Sequence, residues 1–239
     1  KDPETYNKFW AEFGHIVKEG SQEDPKSKEL ITSLLRYRTT TSSGETRSLA
    51  QLRAEMPEGQ DALWYYTNVD KNRIESSPVL EGFKKRGWEV MLMDEPVDEW
   101  VVMAVNEFDG VELKSVTKGE LPEDDTEEED PISQAAKDQA RPLVGWMGSL
   151  LENDVAEVRM SSRLTDSPSV LVDQEGAMGA NLERILAAAN QSMPAQKQVL
   201  EINPEHPMVK TLAKLNNDGQ TGLEPFARLL HDHALISEG

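Results

Sequence analysis

The 239-residue sequence contains no cysteine, which excludes disulfides, thiolate metal sites and a cysteine nucleophile. It is poor in positive charge: 25 Lys and Arg face 44 Asp and Glu, a net charge of −19. A surface this acidic argues against binding a phosphate backbone, so no nucleic-acid partner is expected. No apolar run approaches the roughly 18 residues of a membrane span and no signal-peptide pattern opens the chain. A soluble, cytoplasmic protein with no membrane partner is therefore expected. Hydrophobic residues make up 37% of the chain, below the globular average, yet five Trp argue against wholesale disorder.

Motifs that carry chemistry are also missing. Neither G-x-x-x-x-G-K-[ST] nor a G-x-G-x-x-G following a strand occurs, so nothing cradles a phosphate in the usual ways. H-E-x-x-H and G-x-S-x-G are absent too. His231 and His233 lie two apart on a predicted helix and face different sides, as ordinary surface histidines do. Asp98–Glu99 and the acidic stretch described below lack EF-hand spacing. No catalytic residue and no metal site are predicted, and these residues alone are not expected to form an enzyme.

What is present is organisation. Eight of the eleven residues from Glu120 to Asp130 are acidic, bracketed by Pro122 and Pro131. Like charges packed so densely repel and have nothing to bury, so residues 118–130 read as an extended or mobile linker. Residues 1–117 before it alternate helix and strand signals. Asp2 and Pro3 open a helix with Tyr6, Phe9, Trp10, Phe13 and Val17 at helical spacing and Gly20 as its stop. That aromatic stripe needs a partner, and with Lys rather than Met at position 1, upstream residues are one candidate. Residues 27–36 read as a short helix leading into a strand, and Ser48 with Gln51 forms a capping box for the next helix. Residues 62–67 and 88–93 read as buried strands, with a helix from Ser77 to Gly87 between them. A helix at 97–105 and an edge strand at 111–116 follow. This order implies an α/β unit with a mainly parallel sheet covered by helices.

Residues 131–239 form a smaller α+β unit. A helix regular from Pro142 onward carries Leu143, Trp146, Met147, Leu150 and Leu151. Strands are expected at 155–160, 169–172 and 199–203, and helices at 176–190, 205–215 and from Glu224 to Ile236. With no catalytic motif, attention falls on apolar surface. Trp100 sits beside Asp98 and Glu99 near a helix start, either as core or as part of a recognition surface. Met178, Leu182, Ile185 and Leu186 fall at i, i+4, i+7 and i+8, one helix face. Such a face either packs on the core or serves as an adaptable contact. The last helix carries Phe226, Leu229, Leu230 and Ala234, with Leu223 just before it. That stripe docks on its own sheet or pairs with a second copy.

Five stretches in order resemble the heat-shock protein 90 family of molecular chaperones, most closely its bacterial HtpG branch. They are LLRYRTT at 34–40, SLAQLRAEMPEGQDALWYYT at 48–67, SSPVLEGFKKRGWEVMLMDEPVDEW at 76–100, VRMSSRLTDSPSVLV at 158–172 and LEINPEHPMVKTL at 200–212. The resemblance implies the C-terminal part of a middle domain over 1–117 and a C-terminal dimerisation domain over 131–239. It implies an ATP-dependent chaperone whose nucleotide site, with ATP and magnesium, lies upstream, so no cofactor is expected here. It assigns client contact to Glu99, Trp100, Met178, Leu182, Ile185 and Leu186, and dimerisation to Leu223, Phe226, Leu229, Leu230 and Ala234. Non-native clients, co-chaperones and a second copy of the chain are the implied partners. Family members follow the helix matching 224–236 with another, so a weakened homodimer is expected. The alternative is an architectural module that couples domains without touching clients.

Overall fold

A computed structural model describes residues 2–42, 44–121, 131–191 and 196–238. Most of the acidic stretch, residues 122–130, lies outside the described residues.

The elements in chain order begin with helices α1 (Pro3–Glu23) and α2 (Lys28–Leu34), strands β1 (Arg36–Thr39) and β2 (Arg47–Ser48), helix α3 (Leu49–Ala54) and strand β3 (Leu63–Thr67). A 3₁₀ turn at Pro78–Leu80 leads into α4 (Glu81–Lys85), followed by β4 (Val90–Met93), α5 (Asp98–Ala104), β5 (Glu107–Phe108) and β6 (Val111–Ser115). Then come α6 (Pro131–Leu150), β7 (Glu157–Met160), β8 (Ser169–Val172), α7 (Ala180–Ala188), β9 (Val199–Ile202), α8 (Pro207–Asn217) and α9 (Glu224–Glu238). They form two compact units.

The first unit comprises Lys1–Glu75, Arg86–Val116 and Asn181–Ser192. Its six-stranded sheet has the order β2-β1-β4-β3-β6-β5. The central pairings, β4 with β3 and β3 with β6, are parallel, as expected for strands joined by helical crossovers. The flanking pairings, β2–β1, β1–β4 and β5–β6, are antiparallel, so the sheet as a whole is mixed rather than mainly parallel. Every residue of β4 is buried, the signature of a strand covered on both faces. β6 is not an edge strand, because β5 pairs on its outer side. The turn between them is Asp109–Gly110, both at positive φ (49° and 74°), the geometry of a two-residue hairpin turn.

At the start of this unit Asp2 caps α1 by accepting from Thr5 N–H at 3.2 Å. The helix runs past Gly20 to Glu23. Pro25 is the actual stop, and Asp24 caps the turn that follows by accepting from the Lys26 and Ser27 N–H groups. At α3 the capping box forms as read: Gln51 N–H donates to Ser48 Oγ at 3.1 Å and Ser48 N–H to Gln51 Oε1 at 2.9 Å. Leu35, Leu49, Leu63, Met91 and Val101 form the centre of the core.

The second unit comprises Ser76–Lys85, Thr117–Ala180 and Met193–Gly239. Its sheet has the order β7-β9-β8, with β7 parallel and β8 antiparallel to β9. α6 packs on α8 and β7, and α9 packs on β8. α6 begins at Pro131 and passes through Pro142 without ending. An interior proline costs roughly 3 kcal/mol, but Ala136, Ala140, Leu143 and Met147 bury one continuous face across it. Residues 118–121, the first part of the stretch read as a linker, belong to this unit: Leu121 is buried and Lys118 bridges Asp173.

Polar contacts organise the second unit as much as its core does. Glu201, on the fully buried β9, receives Arg159 at 2.7 Å and Arg163 at 2.9 Å. The Glu81 carboxylate accepts from the backbone N–H groups of Thr165, Asp166 and Ser167 and from the Ser167 hydroxyl. Burial works to raise the Glu81 pKa, but those hydrogen bonds outweigh it and hold the carboxyl below its ordinary value. Next to it, a Cβ on Gly82 would sit 2.8 Å from the Arg163 carbonyl oxygen, so only glycine fits there.

Candidate functional site

Helix α5 is set on the sheet by Val101 and Val105, both fully buried. Asp98, in the first turn, accepts from Glu95 N–H at 3.1 Å. Asp98 is 0% exposed, and its other oxygen lies 2.8 Å from the Lys18 ammonium of α1. Lys18 directs its hydrogen bond to Glu95 Oε2 at 2.7 Å, so one ammonium serves two carboxylates. Burial dominates for Asp98 and pushes its pKa up from 3.8 to about 6 despite Lys18. The Tyr37 ring lies 4.9 Å from the same ammonium. Its buried hydroxyl has no hydrogen-bond partner, and burial raises this phenol well above its ordinary pKa.

The two residues after Asp98 diverge. Glu99 is only 6% exposed, and its Oε1 accepts from Asn181 Nδ2 at 2.6 Å. Trp100 is half-buried, and Met103 one turn on is well exposed. α5 therefore buries Asp98, Glu99 and Val101 and turns Met103 to solvent, with Trp100 between the two sides.

Helix α7 is shorter than its sequence pattern, Ala180–Ala188 instead of 176–190. Gly176 adopts φ of +77°, a left-handed conformation that cannot start a helix. Met178 consequently precedes α7, and the expected four-residue stripe is a helix face of three residues with a loop residue before it. Leu182 is buried, whereas Met178, Ile185 and Leu186 are half-buried. The N–H of Ala180 donates to Asp173 Oδ1 at 3.2 Å, and the Thr117 hydroxyl to Asp173 Oδ2 at 2.7 Å. The structure thus joins Glu99 to α7 through Asn181, a residue the sequence pattern does not single out. Asn181 stands beside the apolar stripe, where polar residues are commonplace, and carries no sequence signal.

Helix α9 has two apolar sides. Leu223, Ala227, Leu230 and Ala234 belong to the core of the second unit, and the Leu230 carbonyl accepts from Ser169 Oγ at 2.6 Å. Phe226, Leu229 and Ile236 are 53%, 51% and 72% exposed. The residues read together as one stripe are therefore divided between a core side and a solvent side.

Among the described residues, no group of three or more His, Asp or Glu side chains converges in a way that could hold a metal ion. No described helix is long and apolar enough to cross a membrane.

A family model described as "Hsp90 protein" matches residues 1–239. The chain is 42% identical over 240 residues to "Chaperone protein HtpG" of Legionella pneumophila (strain Lens), covering 100% of this chain and 38% of that protein. It is 42% identical over 248 residues to the protein of the same name from Magnetococcus marinus, with 100% and 38% covered. For that of Geobacter metallireducens the figures are 38% over 245 residues, again with 100% and 38% covered. The chain thus spans under two fifths of the length of these relatives, and across the whole of its own length it belongs to the Hsp90 family.

Proposed function

We propose that the chain is part of an ATP-dependent chaperone and holds non-native polypeptides on apolar side chains at α5 and α7. The observation that carries this reading is the exposure pattern: Trp100, Ile185 and Leu186 of the first unit are only half-buried, on elements otherwise anchored by buried groups. A contiguous apolar patch left open on a folded domain marks an interaction site, and the net charge of −19 opposes non-specific aggregation of the loaded protein. Leu182 is a support of that surface because it is buried, and Glu99 contributes through its place in α5. Met178, in the loop of the second unit that precedes α7, is a client contact of its own in this proposal, with a flexible side chain. ATP hydrolysis, with its magnesium, belongs in this proposal to the whole protein, and no step of it is assigned to the residues described here. A cytoplasmic location and co-chaperone partners follow from the same family reading.

The same proposal includes homodimerisation through α9. Phe226 and Leu229, on its exposed side, are the contact residues, while Leu223, Leu230 and Ala234 fix the helix to the second unit. Two-fold pairing of one apolar helix face with its copy is the commonest way to cover such a stripe.

The test is suppression of client aggregation by Trp100→Arg and by Ile185→Ser with Leu186→Ser. These side chains are half-buried, so the fold should survive and the protective effect should fall. Unchanged protection by folded variants would exclude this surface. A second reading, an architectural module without client contact, draws on the burial of Leu182. It predicts that the same variants alter dimer geometry or stability and leave client binding intact.

A further inference from the structure

We propose that Glu99 is a positioning residue and not a client contact: its hydrogen bond to Asn181 ties α7 to α5, so that Trp100, Ile185 and Leu186 are offered as one surface. The inference rests on the client-binding reading of that surface. Glu99 and Asn181 are 6% and 8% exposed, leaving almost no area for a guest polypeptide. Their contact, 2.6 Å between Glu99 Oε1 and Asn181 Nδ2, is a short amide-to-carboxylate bond of the charge-assisted kind. A buried carboxylate left without its donor is costly, so the bond holds both side chains in place. Asn181 Oδ1 is buried and has no hydrogen-bond partner, so the Asn181 side chain offers α5 this one amide bond and no second. A latch of that kind responds sharply to a change at either end.

The chemistry supplies a discriminating exchange. Asn181→Asp sets a carboxylate against the Glu99 carboxylate, and the like charges part. Adding Glu99→Gln restores a donor facing an acceptor, with the amide now on α5 and the charge on α7. If Glu99 acts by position, binding follows the bond. If it touches clients through its charge, binding follows the charge and the exchange does not restore it.

The experiment uses the full 239-residue chain and a permanently unfolded probe, reduced and carboxymethylated lactalbumin. Affinity is read by fluorescence anisotropy and the latch by hydrogen exchange of the α7 amides. Asn181→Asp should weaken probe binding at least tenfold and accelerate α7 exchange. The double variant should return affinity to within threefold of the parent and slow the exchange again. A double variant that binds no better than Asn181→Asp, or an Asn181→Asp protein that binds like the parent, overturns the inference. Should Asn181→Asp not fold by circular dichroism, Asn181→Ala replaces it, and faster α7 exchange with unchanged affinity is then the contrary result. Trp100→Arg separates the two levels: if it binds like the parent, the client-binding reading fails and takes the latch with it. If it weakens binding while the exchange fails to rescue, only the latch fails.

Discussion

Replacing Asp98 by Asn should remove a pH dependence that runs opposite to that of an ordinary ion-paired carboxylate. Asp98 is wholly buried, and the ammonium it faces is shared with Glu95. A single positive charge cannot neutralise both groups, and desolvation of Asp98 raises its pKa from 3.8 to about 6. The native state therefore binds this proton more tightly than the unfolded chain does. Its contribution to stability is fully present below pH 3.8 and is lost as the pH rises through about 6. A shift of about two units corresponds to about 3 kcal/mol. Urea unfolding of the parent and of Asp98→Asn across this window, followed through the Trp fluorescence of the first unit, measures the difference. The parent should gain about 2 kcal/mol of that relative to the variant as the pH falls from 7 to 4. Parallel curves would show that Asp98 titrates normally. A relative loss on acidification would show that the Lys18 pairing outweighs burial and that the Asp98 pKa is lowered instead of raised.

Other substitutions probe the second unit and α9. Gly82→Ala places a methyl group 2.8 Å from the Arg163 carbonyl oxygen, and thermal unfolding should register a loss of about 1–3 kcal/mol. On α9, Leu229→Asp should leave unfolding within about 0.5 kcal/mol of the parent yet shift sedimentation toward the monomer. Leu230→Asp, directed into the core, should instead unfold the second unit, as near-ultraviolet circular dichroism would report.

Local chemistry made much of the fold legible. The Ser48–Gln51 box, the cap at Asp2 and the apolar runs at 62–67 and 88–93 each specify their element by nearest-neighbour physics. The departures arise where distant packing or backbone sign decides. α6 passes through Pro142 because a buried face spans it, which no local rule reveals. α7 starts late because Gly176 is left-handed, and glycine in a sequence does not announce the sign of its φ. The Asp109–Gly110 turn carried a readable hairpin signal, but the flanking strand is only two residues long and has no period to detect.

The candidate site was legible as apolar residues and not as their division of labour. Periodicity placed Leu182 with Ile185 and Leu186, and Leu230 with Phe226 and Leu229. Only three-dimensional burial separates the supports, Leu182 and Leu230, from the open side chains. Glu99 stood out through its neighbour Trp100, yet its engagement with Asn181, 82 positions away, depends on a tertiary contact between helices that sequence spacing does not encode.

The most direct measurement is site-specific photo-crosslinking of an unfolded client to the full chain. A photoreactive side chain is placed in turn at positions 100 and 185, and at Met208, an exposed apolar position on α8 with no assigned role. Client contact at α5 and α7 predicts strong adducts from 100 and 185 and background from 208. Equal labelling at all three, or labelling at 208 alone, would contradict it.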